Sequence, residues 1–81
     1  MTPGSATPPA FAARPDDDDD VRWALSTALV QWNRGGEADA VVWLRRAGEA
    51  ADASGAPARA VELRSYAAML AQRLRDAPAR K

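Results

Sequence analysis

The sequence predicts an all-α fold: three antiparallel helices, a helical hairpin plus a third helix, after a disordered N-terminal tail. Three observations predict it. Apolar residues recur at helical spacing in three separate stretches. Short Gly-containing segments, Gly35-Gly36 and Ser54-Gly55-Ala56-Pro57, divide those stretches. β-branched residues are few and never alternate with polar ones over a useful length, so nothing reads as a strand.

The tail is assigned to residues 1–18. Residues 1–15 are rich in Pro, Ala and Thr, and Phe11 is their single large apolar side chain. Such a composition buries too little surface to offset ordering, and predicts disorder. Phe11 is the one anchor it could offer to a binding site. Asp16 to Asp20 follow as an unbroken acidic run. A calcium loop alternates its ligands with other residues and needs a Gly at its turn, so this spacing does not fit one. Asp near a helix start caps free backbone N–H groups and complements the positive end of the helix dipole. The remaining carboxylates repel one another and extend the tail. Residues 1–20 hold one Arg against five Asp, while residues 21–81 hold ten basic against six acidic residues. The acidic run is therefore a candidate to fold back on the Arg-bearing helices and block a site.

The helical domain is expected over residues 19–77. Its first helix, residues 19–34, carries Val21, Leu25, Ala28, Leu29 and Trp32 on one stripe and ends at Gly35-Gly36, where Gly suits a left-handed C-terminal turn. The second, residues 37–53, aligns Ala40, Leu44, Ala47 and Ala51, flanked by Val41, Trp43 and Gly48. The third, residues 57–76, opens on Pro57 and aligns Ala60, Leu63, Ala67, Leu70, Ala71 and Leu74. Pro78 stops it, and residues 78–81 fray. Short loops make consecutive helices antiparallel. Alanine-rich stripes let their axes approach closely.

Absences bound the function. The chain has 81 residues with no Cys and no His. Disulfides and Cys/His metal sites are excluded, as are Ser–His and Cys–His nucleophilic arrangements. Ser26, Ser54 and Ser65 stand in no nucleophile motif, and the only Lys is Lys81. No glycine-rich phosphate loop is present. The expectation is a non-catalytic protein without cofactor, metal or small-molecule substrate. No secretory leader and no stretch of ~20 apolar residues occurs, which predicts a soluble, cytoplasmic chain off the membrane. All but one of the 11 basic residues are Arg and Ala is abundant, a bias associated with GC-rich bacterial coding sequence. A chain this short, with no disulfide or metal to support it, favours self-association or a protein partner.

The segment from Leu29 to Leu63 resembles a tetratricopeptide repeat. Gly35 is followed by small Ala40, large Leu44 and small Ala47 at the spacing of the repeat's second helix, and Ala28 fits the small position of the first. Ala24, Thr27 and Gln31 stand where the family prefers bulky residues, the turn Pro is displaced to Pro57, and no second copy follows. The resemblance implies a single repeat-like hairpin at about residues 24–57 with a cap-like third helix. It also implies a concave ligand groove lined by the first helix at Arg22, Leu25, Leu29, Trp32 and Asn33. One hairpin of this kind cannot bury its apolar face alone.

Apolar residues outside the core stripes are the candidates for partner binding. Trp23 and Val30 lie opposite the first stripe, Val42 opposite the second with Trp43 at its edge, and Tyr66 and Met69 away from the third. Taken as one contiguous patch, they point to a protein-interaction module, an adaptor or a subunit of a larger assembly. The alternative is a small nucleic-acid-binding regulator using Arg34, Arg45, Arg46, Arg59, Arg64, Arg73 and Arg75. A recognition helix would then present Arg59, Ser65 and Gln72, with Glu62 opposing phosphate.

Overall fold

The computed structural model describes residues 9–76, and the chain there forms three α-helices: α1 (Asp19–Asn33), α2 (Glu37–Ala53) and α3 (Pro57–Asp76). The expectation of disorder for residues 1–8 and of fraying at 78–81 lies outside the described residues.

The sequence explains where each helix stops. Asp18 has extended backbone geometry and its carboxylate accepts from the Asp20 amide at 3.3 Å, which caps α1, while Asp19 and Asp20 occupy the first turn at the positive dipole end. α1 and α2 end in the same way. Gly35 and Gly55 adopt positive φ, +84° and +86°, where a Cβ would be strained. The Gly36 amide then donates to the Gln31 carbonyl at 2.7 Å and Gly35 to Trp32 at 3.1 Å. After α2, Ala56 donates to Ala51 at 2.9 Å and Gly55 to Asp52 at 3.1 Å. Both are Schellman motifs that satisfy carbonyls left free by the helix end.

α2 is the centre of the packing. It lies against α1 on one side and α3 on the other, whereas α1 and α3 scarcely meet. Leu25, Leu44 and Leu63, one from each helix, are fully buried. Around them Ala28, Ala40, Ala47, Ala51 and Ala67 have no exposed surface, which is the close approach the small stripes require. Gly48 carries this furthest: a Cβ there would sit 3.0 Å from Arg64 Cγ and 3.4 Å from the Ala60 carbonyl oxygen of α3. Ala24, outside the expected first stripe, is also buried, because the α1 face turned to α2 is wider than the stripe of large residues.

The tail expectation is corrected for residues 9–18. Pro9–Phe11 form a 3₁₀ turn, and Ala10 and Phe11 join the main hydrophobic cluster, with Phe11 only 3 % exposed. Composition had counted the apolar surface this segment could bury by itself. The helices supply a trough already formed, so one ring suffices.

Leu44→Ala is expected to cost about 2–5 kcal/mol, the range for truncating a fully buried leucine. Gly48→Val is expected to cost about 1–3 kcal/mol by overpacking the α2–α3 contact. Urea unfolding followed by helical circular dichroism measures both.

Candidate functional site

Two surfaces carry the candidate residues. The first is built on the outer side of the α1–α2 hairpin. Trp23 of α1 and Trp43 of α2 meet edge to face with ring centroids 5.2 Å apart. The Arg46 guanidinium lies 4.7 Å from the centroid of the Trp43 ring. Antiparallel packing brings these residues together, and Trp43 and Arg46 lie on neighbouring turns of one helix face. Edge-to-face geometry and a cation over a ring are both favourable arrangements. Trp43 is half-buried at the edge of the core cluster, while Trp23 stays 62 % exposed. A tryptophan so exposed gains little from the fold.

The other candidates do not join this surface as one patch. Val30, on α1, is exposed, but Val42 lines a shallow seam on the opposite flank of α2, with Ala71 and Leu74 of α3. The helical wheel put Val42 outside its own stripe, and it could not tell which neighbour lay beyond that stripe. Met69 is exposed on α3, which scarcely touches α1. Tyr66 is half-buried and packs on the core cluster, as Trp43 does. Val61 is exposed as well. It stands off the Ala60/Leu63/Ala67 stripe, and the criterion that singled out Met69 applied equally to it.

The second surface is the trough between α1 and α3, floored by α2. Of the residues that the repeat resemblance implies for a groove, Leu25, Leu29 and Trp32 pack in the core cluster and Arg22 reaches residues 10–17, which fill the trough. Phe11 meets Trp32 with ring centroids 5.4 Å apart. Leu25 is buried beneath and Leu29 is half-buried. The Arg22 Nη2 reaches the Pro15 carbonyl at 3.4 Å, and Asn33 is exposed. Burying the Phe11 ring contributes about 1.5–3 kcal/mol.

Charged groups hold the far end of the segment. Arg59 of α3 grips Asp17 with a two-point fork, Nε to Oδ1 at 2.9 Å and Nη2 to Oδ2 at 2.9 Å. Their side chains are 9 % and 3 % exposed. Arg59 Nη1 also donates to Glu62 Oε1 at 3.1 Å, and Arg14 Nη2 donates to Glu62 Oε2 at 2.6 Å. Arg59 Nη2 reaches the Ala12 carbonyl at 3.3 Å. Inside the segment, the Arg14 amide donates to Asp17 Oδ2 at 2.8 Å and the Asp17 amide to the Arg14 carbonyl at 3.0 Å, so the chain turns before α1. Burial pushes the Asp17 pKa up, but the Arg59 hydrogen bond, the Arg14 amide and the two guanidinium charges outweigh it and hold the group below its ordinary value. Hydrogen bonds from Arg59, and then Arg14, likewise lower Glu62, and the Asp17 hydrogen bond raises Arg59. An open cleft of about 450 Å³ borders this network, between the end of the segment, the start of α1 and the α2–α3 turn.

The remaining arginines are dispersed. Arg64 faces Asp52 at 3.6 Å on the surface, and Arg45 and Arg75 border the α2–α3 seam. Among the described residues no group of three or more Asp or Glu is set to hold a metal ion, and no helix is long and apolar enough to cross a membrane.

Compared with protein-family models, with curated proteins and with solved structures, the chain matches nothing in any of the three.

A depressed carboxylate stabilises the fold above its unfolded pKa and loses that contribution as pH falls through its folded pKa. Acid is therefore expected to release residues 10–17 below about pH 4, the ordinary aspartate range. Trp32 fluorescence measured against pH in a chain whose other two tryptophans are replaced by Phe reports the step. Asp17→Asn should remove it.

Proposed function

We propose that this chain is a protein-interaction module, an adaptor or a small subunit of a larger assembly, that binds another protein through its helix faces. The observation that carries this is the Trp23–Trp43–Arg46 face. Trp23 presents most of its indole to solvent, braced edge-on by Trp43, which is itself covered by Arg46. Tryptophan and arginine are the residues most enriched where protein interfaces concentrate their binding energy. A braced indole also loses little freedom when a partner covers it. Val30 extends the apolar surface along α1. The α1–α2 hairpin acts in this reading as a single tetratricopeptide-like repeat, with α3 as its cap and a partner covering the flank that a neighbouring repeat would otherwise cover. The chain then works in the cytoplasm without cofactor or metal, and its chemistry is recognition rather than catalysis.

A second reading has one observation in its favour: Arg45, Arg64 and Arg75 follow the α2–α3 seam, as contacts to a nucleic-acid backbone would require. Glu49 and Asp52 share that flank and oppose it.

The test is a pair of charge substitutions, Trp23→Glu and Val30→Glu. Both positions are exposed, so Val30→Glu should cost no more than about 0.5 kcal/mol of unfolding free energy, and Trp23→Glu no more than the roughly 0.5–1.5 kcal/mol of its aromatic pair. Molar mass by light scattering across concentration, and crosslinking in cell extract, should show association in the native chain and its loss in the variants. Equal behaviour of native and substituted chains sinks the protein-binding reading. Retardation of DNA or RNA that weakens steeply with salt would move the assignment to the second.

A further inference from the structure

The trough between α1 and α3 is occupied by a segment that behaves as a ligand rather than as a fourth element of the fold. Residues 9–18 contribute only a short 3₁₀ turn, and no backbone–backbone hydrogen bond joins residues 9–17 to any helix. The backbone of residues 9–17 meets the helices only where the Ala12 and Pro15 carbonyls accept from the Arg59 and Arg22 side chains, and the segment's own side chains make the other contacts. Three of them face three receptors. Phe11 inserts against Trp32, Arg14 reaches Glu62, and Asp17 enters the fork of Arg59. The residues between them, Ala12, Ala13, Pro15 and Asp16, are exposed. Phe11 and Asp17 are buried contacts at the two ends and Arg14 a half-exposed one between them, presented by a chain that turns at Pro9–Phe11 and again between Arg14 and Asp17.

The receptor side is complete without the segment. Trp32, Arg59 and Glu62 are positioned by helices, and Arg59 and Glu62 hold one another at 3.1 Å within α3. The segment contributes Ala10 and Phe11 to the buried cluster, and its Phe11 ring and Asp17 carboxylate cover parts of Trp32 and Arg59.

We propose that this trough is a receptor for a protein segment carrying Phe, Arg and Asp at successive intervals of three residues, and that Phe11, Arg14 and Asp17 of the chain itself are its resident, displaceable ligand. A partner bearing the same pattern binds by replacing them. The site is distinct from the Trp23 face and stands whether or not that face binds anything. Because the resident segment is tethered directly to α1, its effective concentration is about millimolar, so a competing segment in free solution meets a largely filled groove. Weakening the resident segment opens it.

The experiment uses the full chain, native and with Phe11→Ala and Asp17→Asn combined, and a fluorescent synthetic peptide with the sequence of residues 9–18. Fluorescence anisotropy should give binding to the doubly substituted chain at least tenfold tighter than to the native one. The same peptide with its Phe replaced by Ala should fail to bind, and adding Arg59→Ala to the doubly substituted chain should weaken binding at least tenfold. Trp23→Glu in that background should leave binding unchanged. If the doubly substituted chain loses helical circular dichroism, the peptide should restore it. The proposal is overturned if the peptide binds neither chain, if its Phe or the receptor's Arg59 makes no difference, or if lost helicity is not recovered on adding it.

Discussion

Setting α2 between α1 and α3 leaves the outer helices apart, and the trough that results governs what the rest of the molecule can do. A helix buries a stripe, and α2 has two neighbours to bury it against, while α1 and α3 each have one. Their inner flanks need another cover. Alanine-lined contacts bring the axes close along α2 but cannot extend far enough to close the gap on the other side. A single aromatic ring closes it, and Phe11 is that ring. Its burial makes Trp32 a partly covered core residue, draws the backbone across the face of the helices and delivers Asp17 to Arg59. The ring and the Asp17–Arg59 pair hold the segment at its two ends.

Most of the fold could be read from the sequence because it is local. α2 and α3 span the residues that their apolar spacing and terminal signals predict, and α1 ends one residue earlier than expected. Gly35 and Gly55 take the left-handed geometry that the helix ends demand. What escaped was non-local. Phe11 is an isolated apolar residue in a proline-rich stretch, and local composition carries no information about a trough to which Trp32, Arg59 and Glu62 contribute. Asp17 and Arg59 are 42 residues apart, and nothing in the spacing of either selects the other. The suggestion that the acidic run folds back was sound in direction, but only Asp17 of the five makes the contact, with Asp18 spent on the helix cap.

The candidate sites divide in the same manner. Exposure of Trp23, Val30, Val42 and Met69 follows from their positions off the stripes, so periodicity found them. Their distribution over separate flanks does not follow from it, because a wheel gives angles about one helix and says nothing about which neighbour stands at each angle. Trp43 and Tyr66 mark this limit from two sides. Trp43 sits at a stripe edge and meets Trp23 of α1, while Tyr66, off its own stripe, still packs on the core cluster.

The charge balance at the trough has a consequence for selectivity. The resident segment presents Arg14 and Asp17 to the helices, one charge of each sign, and α3 answers with Glu62 and Arg59, again one of each. Exchanging that segment for another of like pattern moves no net charge into or out of the groove. Long-range attraction, which acts on net charge, therefore contributes little to the choice of occupant. Discrimination falls to order instead: a segment with Arg and Asp exchanged carries the same charge and the same ring, yet sets carboxylate against Glu62 and guanidinium against Arg59. The order of the two charges, not their sum, distinguishes one occupant from another.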